Sequence, residues 1–261
     1  MFKKISILTA GLLLSVSVFA NDVQDLIQKA ENGDIESQIE LVDYYRHNQD
    51  NVNYLHWLEK VAYQGNKIAQ YNLGQAYRVG DVVKQDYAQA IEWYLKSANQ
   101  NYSESQFVLG SMYENALGVE RDYQKAMEWY LRASDNYHKE AMYNIGVMYD
   151  MGMGVEEDNK KAIEWYQKAI ELNNEKARYN LAIKYFNGEG VEQDYEQAMI
   201  LYAISATRDY APAQYNMAVA LNTGIGAEQD ISLAKVWFKR ACENELELGC
   251  EAYQELVKEG Y

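Results

Sequence analysis

The sequence predicts an all-α fold: a right-handed α-solenoid of stacked antiparallel helix pairs. Three observations lead there. A six-residue stretch recurs every 36 residues, five times in register: Ala69–Gly74, Ser105–Gly110, Ala141–Gly146, Ala177–Ala182 and Ala213–Ala218. A fixed period of this size marks supersecondary units that bury their apolar faces against neighbours rather than around one globular core. Proline is confined to Pro212, as suits a chain that keeps its backbone donors for helices. Tyrosine reaches 24 residues, and large rings suit packing between helices.

The first twenty residues are set apart. Lys3 and Lys4 make a positive start, Ile5 to Val18 is apolar and uncharged, and Val18-Phe19-Ala20 has small residues where a signal peptidase reads. The expectation is a signal peptide, residues 1–20, cleaved after Ala20, and a periplasmic or secreted protein. The apolar run is short for a bilayer span, and Asn21-Asp22 follows it at once. No Cys stands at the cut to carry a lipid, and no later segment is apolar enough to span. Stable membrane insertion after cleavage is therefore not expected.

Residues 21–36 read as an N-terminal cap, in which 23–33 is a lone helix of the second kind in each pair, helix B. Repeats follow over about 37–247. The first helix A opens at Ser37-Gln38-Ile39-Glu40-Leu41, and the loop before Trp57 is four residues shorter than its counterparts. Residues 104–139 show one whole unit. Ser105, Phe107, Leu109 and Met112 mark helix A, and a break follows at Asn115–Val119. Asp122 can cap helix B, because its carboxylate accepts free N–H groups of the first turn. Ala126, Trp129 and Tyr130 mark its apolar stripe. Residues 248–261 read as a C-terminal cap helix, making seven helices of each kind.

Between A and B lie Gly80-Asp81-Val82-Val83, Ala116-Leu117-Gly118-Val119, Gly152-Met153-Gly154-Val155, Gly188-Glu189-Gly190-Val191 and Gly224-Ile225-Gly226-Ala227. The first Gly suits a left-handed turn ending helix A. A phosphate-binding loop would need a strand before it and Lys-Ser/Thr after it, and these loops have neither. Alanine recurs at 90, 126, 162, 198 and 234, and Trp at 57, 93, 129, 165 and 237, with Leu201 replacing Trp once. Exchange of one large apolar residue for another marks a core position.

The Leu-Gly of helix A, the Gly-x-Gly-Val loop, the Asp-Tyr opening helix B and the Ala-x-x-Trp-Tyr after it resemble the Sel1-like repeat family, which is related to tetratricopeptide repeats. Asp122-Tyr123 followed by Ala126-Met127-Glu128-Trp129-Tyr130 is a close match. The resemblance covers nearly all of the chain after residue 20. It is specific for fold and weakly specific for function, because the family serves many partners. Aligned with the tetratricopeptide pattern, it implies that the A helices line a concave binding face. One row there holds Tyr71, Phe107, Tyr143, Tyr179 and Tyr215. A second holds Asn72, Asn144, Asn180 and Asn216, with Val108 interrupting. A third, variable row holds Arg78, Glu114, Asp150, Phe186 and Asn222. The tyrosines could equally pack against helix B, and the asparagines could bond between repeats.

The only cysteines are Cys242 and Cys250. An even count in an exported chain suggests a disulfide. A redox dithiol is the alternative, although the spacing is not Cys-x-x-Cys. The pair is similar to that of the cysteine-rich Sel1 proteins, which implies a bridge between neighbouring helices.

The chain carries a net charge of −15, which opposes nucleic acid and anionic membrane partners. The excess acid either solvates helix faces or meets a basic partner. His47, His56 and His138 are scattered without metal-ligand spacing, so neither metal nor cofactor is expected. Some cysteine-rich relatives are linked to penicillin binding and weak β-lactam hydrolysis. Ser232-Leu233-Ala234-Lys235 and Ser134-Asp135-Asn136 match two short β-lactamase motifs, but Lys-Thr-Gly is absent and the two matches lie nearly three repeats apart.

The expectation is an exported monomeric adaptor that binds a protein or peptide without catalysis. An immunity protein against a periplasmic toxin is one alternative. A β-lactamase-like or peptidoglycan-acting hydrolase is the other.

Overall fold

The structure is a computed structural model and describes residues 22–261. The expected signal peptide lies outside the described residues. Within them are fourteen helices and no strand. Helix α1 covers residues 22–31. Six A–B pairs follow: α2 (Ile35–His47) with α3 (Asn51–Tyr63), α4 (Lys67–Val79) with α5 (Tyr87–Ala98), α6 (Ser103–Glu114) with α7 (Tyr123–Ser134), α8 (Lys139–Met151) with α9 (Asn159–Glu171), α10 (Glu175–Asn187) with α11 (Tyr195–Thr207), and α12 (Ala211–Thr223) with α13 (Ile231–Glu243). A last A helix, α14, covers Glu247–Lys258. The seven-and-seven reading and the solenoid class both hold. The chain forms two compact units, one ending at Leu109 and the other running from Gly110 to Tyr261.

From α4 onward, each A-to-B loop is closed by the same two devices. An aspartate caps helix B: Asp86, Asp122, Asp158, Asp194 and Asp230 each accept the N–H three residues on, at 2.8–3.0 Å. The N–H of that aspartate donates back to the end of helix A, as Asp158 does to the Tyr149 carbonyl at 2.8 Å. Gly80, Gly152, Gly188 and Gly224 end their helices in the left-handed conformation. Ala116 takes that position in its own repeat, at φ 57°.

The unit ending at Leu109 has its core around Leu41, Trp57, Leu58, Val61, Leu73 and Trp93. The second unit buries Tyr166, Leu181, Tyr202 and Phe238 among alanines. The recurring alanines at 90, 126, 162, 198 and 234 are fully buried. They let each helix B approach its helix A until Tyr94, Tyr130 and Tyr166 lie on Gly74, Gly110 and Gly146. A Cβ on Gly146 would stand 2.6 Å from the Tyr166 ring.

The tryptophan row carries a device not legible in the motif alone. Each Trp lies beneath the cation three residues on: Lys60, Lys96, Arg132, Lys168 and Arg240 sit 3.8–4.7 Å from the ring centroids. Where Leu201 replaces Trp, Ile204 replaces the cation. An aliphatic side chain has no π face to attract a charge.

At the C-terminus, Cys242 and Cys250 form a disulfide, with sulfurs 1.94 Å and Cα atoms 4.4 Å apart. It joins α13 to α14. Gly249 lets the helices meet, since a Cβ there would lie 2.7 Å from that of Ala241.

Candidate functional site

The A helices present the expected rows at one repeat position each, and all fourteen side chains are half-buried. In the unit ending at Leu109 these are Tyr71, Asn72, Arg78 and Phe107. Tyr71 packs on Tyr94 of helix B, with centroids 5.8 Å apart, and on Tyr102 at 5.4 Å. Gln75 links the rows: its side-chain oxygen accepts from the Tyr94 hydroxyl and from Arg78, both at 2.8 Å.

The second unit repeats the arrangement through Tyr143, Tyr179 and Tyr215. Tyr143 packs on Tyr166, Tyr179 on Tyr202, and Tyr215 on Phe238, with centroids 5.5–6.1 Å apart. The asparagines tie successive repeats together. Asn216 donates to the hydroxyls of Tyr179 at 3.1 Å and Tyr202 at 3.3 Å. Asn180 donates to Tyr166 at 3.2 Å and also bonds Tyr143, and Asn144 bonds Tyr130.

The variable row answers the helix-B phenols. The Tyr130 hydroxyl donates to Glu114, the Tyr166 hydroxyl donates to Asp150 at 3.0 Å, and Phe186 packs near Tyr202 at 6.5 Å. Asn222 faces a repeat in which Phe238 replaces the tyrosine. Burial raises the pKa values of Tyr94, Tyr130 and Tyr166 far above the ordinary tyrosine range, and that of Tyr202 to about 12. These hydroxyls are neutral donors at any physiological pH.

Two charged residues replace uncharged ones on these helices. Lys184 stands where Ala76, Met112, Met148 and Ala220 stand. It is 5% exposed and reaches Asp150, Glu189 at 2.8 Å and the Asn159 side chain at 2.8 Å. Burial alone would lower its pKa, but the bonds to Asp150 and Glu189 hold it above its ordinary value. Arg178 stands where Gln70, Gln106 and Gln214 stand, and those glutamines donate to the carbonyl eight residues back, at 3.0–3.1 Å. Arg178 instead pairs with Glu175 at 2.7 Å, and Arg208 pairs with the same carboxylate. Only the side-chain contacts distinguish these clusters from surface charge.

The two β-lactamase-like matches lie in different repeats. The Ser134 hydroxyl donates to the Leu131 carbonyl at 2.7 Å, and Lys235 reaches the Tyr261 carbonyl. Among the described residues no group of acidic, His or Cys side chains is placed to hold a metal, and no helix is long and apolar enough to cross a membrane.

Repeated helix pairs, with registered rows of side chains on the A helices, define an α-solenoid. The Sel1 repeat model matches residues 67–102, 103–138, 139–174, 175–210 and 211–246, so the chain belongs to the Sel1-repeat family. A comparison with curated proteins gives no match. Among solved structures, the chain is similar to c5321, a protective antigen of uropathogenic Escherichia coli strains with this fold, at 32% identity and TM-score 0.84. The match covers 91% of the chain and 52% of c5321, so the chain spans about half the length of that protein. A Sel1 repeat protein from Oxalobacter formigenes is similar at 27% identity and TM-score 0.75, over 85% and 96% of the two chains. The Pseudomonas aeruginosa immunity protein PA5088 shares the fold at 18% identity and TM-score 0.53, over 80% and 83%.

Proposed function

We propose that the protein is an exported adaptor without catalytic activity, which binds a protein or peptide partner through its A-helix face. One observation supports this above others. The tyrosines and asparagines of that face are bonded into a fixed frame, while the row 78, 114, 150, 186 and 222 changes from cation to anion to aromatic to amide within it. A rigid frame lowers the ordering cost of binding, and a variable row supplies selectivity. The acidic balance of the chain suits a basic partner.

The test is capture from an envelope fraction. The wild-type protein is compared with a Glu114→Gln/Asn222→Lys variant, in which the amide oxygen at position 114 still accepts from Tyr130 and helical content and melting temperature are kept. A partner held by the wild type, lost by the variant, and reconstituted from purified components as a defined complex is the expected result. Equal capture by both proteins would remove the A-helix face from the reading. Export is tested separately: protein recovered from a periplasmic extract should begin at Asn21, and a start at Met1 would remove this part.

A second reading, immunity against a basic toxin, draws on Glu120, Glu156, Glu192 and Glu228. These carboxylates are exposed at one loop position of successive repeats. This reading expects a nanomolar toxin complex that weakens steeply with salt; an affinity insensitive to salt would count against it.

A further inference from the structure

Between α10 and α12 the A-helix face opens into a recess of about 380 Å³. Its walls are Ile183 and Phe186 of α10, Val219 and Ala220 of α12, and Ile225 of the loop that follows. The recess sits where the variable row turns apolar, since Phe186 replaces the Arg78, Glu114 and Asp150 of earlier repeats. Phe186 is held edge-on to Tyr195, with centroids 4.9 Å apart. The loop lies against it at Gly226, where a Cβ would stand 3.1 Å from the Phe186 ring. The recess is therefore formed by packed side chains before anything enters, and its volume is that of a ligand-sized site. At its rim Ile225 stays 53% exposed.

The polar groups at the recess are Asn187, Tyr202, Asn216 and Thr223. Asn216 donates its amide hydrogens to Tyr179 and Tyr202, which leaves its carbonyl oxygen to offer. Asn187 donates to Glu189 at 2.9 Å. No cation lines the recess. Glu189, which bonds Asn187 of the wall at 2.9 Å, is also paired with the buried Lys184 and stays 44% exposed. An apolar hole with no cation in its lining, on a chain of net charge −15, disfavours acidic ligands and favours an apolar group beside a positive charge.

Building on the adaptor reading above, we infer that this recess anchors the partner. It takes one large apolar side chain, of leucine or phenylalanine size, from a polypeptide with lysine or arginine on either side. The apolar walls select the anchor, the acidic balance of the chain selects its neighbours, and the Asn216 carbonyl and Tyr202 hydroxyl offer an acceptor and a donor to the backbone.

Methyl NMR of the purified protein tests this directly. The probe is an acetylated and amidated peptide, Lys-Lys-Phe-Lys-Lys. Saturable shifts are expected at the methyls of Ile183, Val219 and Ile225. Affinity should fall at least tenfold for Lys-Lys-Ala-Lys-Lys and for Glu-Glu-Phe-Glu-Glu. The Ile225→Lys variant alters a half-exposed loop residue, so it should keep the remaining methyl spectrum and lose at least tenfold in affinity for the phenylalanine peptide. The inference is overturned by silence at those methyls, or by equal affinity for the alanine peptide, which would mean charge alone. It is also overturned if free indole binds as tightly as the peptide, which would make the recess a small-molecule site. If these tests fail while Glu114→Gln/Asn222→Lys still releases a captured partner, the recess falls and the adaptor reading stands.

Discussion

Ala116 and Gly80 occupy one repeat position and one backbone conformation, but only one of them suits it. Ala116 holds φ 57° and Gly80 holds φ 81°. An L-residue in the left-handed region pays about 1–2 kcal/mol that glycine does not, offset in part by glycine's greater freedom when unfolded. Ala116→Gly should therefore stabilise the fold by about 0.5–1 kcal/mol, read from the denaturant midpoint at unchanged slope. A destabilised variant would mean that the methyl packs usefully in its loop. The turns from helix B to helix A carry the same strain at Asn101, Tyr137, Asn173, Asp209 and Glu245, all at positive φ. Nothing in the residue types at 137 or 245 announced it. The conformation is imposed by the need to reverse the chain in so few residues, and whichever side chain sits there accepts it.

At the scale of the helix, α14 depends on others. Its N-cap position is Leu246, which makes no side-chain cap bond, and it buries only Gly249 and Leu256. The helices α5, α7, α9, α11 and α13 all have aspartate caps. The Cys242–Cys250 bridge supplies what the cap does not. Closing so short a ring is worth about 2–3 kcal/mol by chain entropy. A Cys242→Ser/Cys250→Ser variant should lose about that much stability, and hydrogen exchange should quicken first over 247–258. Exchange that stays slow there in the variant would show that packing alone holds α14. The outer face of α11 differs from the other B helices for a related reason. Ile200 and Ile204 are 48% and 38% exposed where most other repeats carry glutamate and a lysine or arginine. With Leu201 in place of Trp, a cation there has no ring to cover.

For the whole molecule, the pH response follows from which charges are held. Asp34, Asp50, Asp122 and Asp158 have lowered pKa values, because each accepts hydrogen bonds from its own helix start. Burial would raise the Glu175 pKa, but Arg178 and Arg208 outweigh it and hold it low; Glu189 is lowered by Lys184. A depressed carboxylate stabilises the fold above its unfolded pKa, about 4, and that contribution disappears as pH falls through the folded value. The tyrosines have the opposite sign. Tyr202 and Tyr210 are raised by burial to about 12. Their contribution is complete below the unfolded value of about 10 and is lost as pH rises through 12. Thermal melts should thus be level from pH 5 to 9, fall below about pH 4, and fall again above about pH 10. Near-ultraviolet absorbance should show these phenols ionising only as the helices unfold. A melting temperature already declining between pH 7 and pH 5 would contradict this assignment.

By itself, the sequence determined the repeat. Its 36-residue period, the Asp at each helix-B start and the Gly at most helix-A ends are local signals, and each acts on its own backbone within a few residues. That is why the pairing, the capping and the helix count could be read in advance, and why the cysteine pair could be placed at one corner. The use of the A-helix rows was decided only by tertiary structure. Asn180 and Asn216 reach phenols 14 to 37 residues away, and Lys184 finds Asp150 and Asn159 in the preceding repeat. A motif records which side chain stands at a position, whereas its partner is set by how closely one repeat lies on the next. The same holds for the recess beside Phe186, whose walls come from α10 on one side and from α12 with its following loop on the other, more than thirty residues apart in the chain, and meet only after the helices stack.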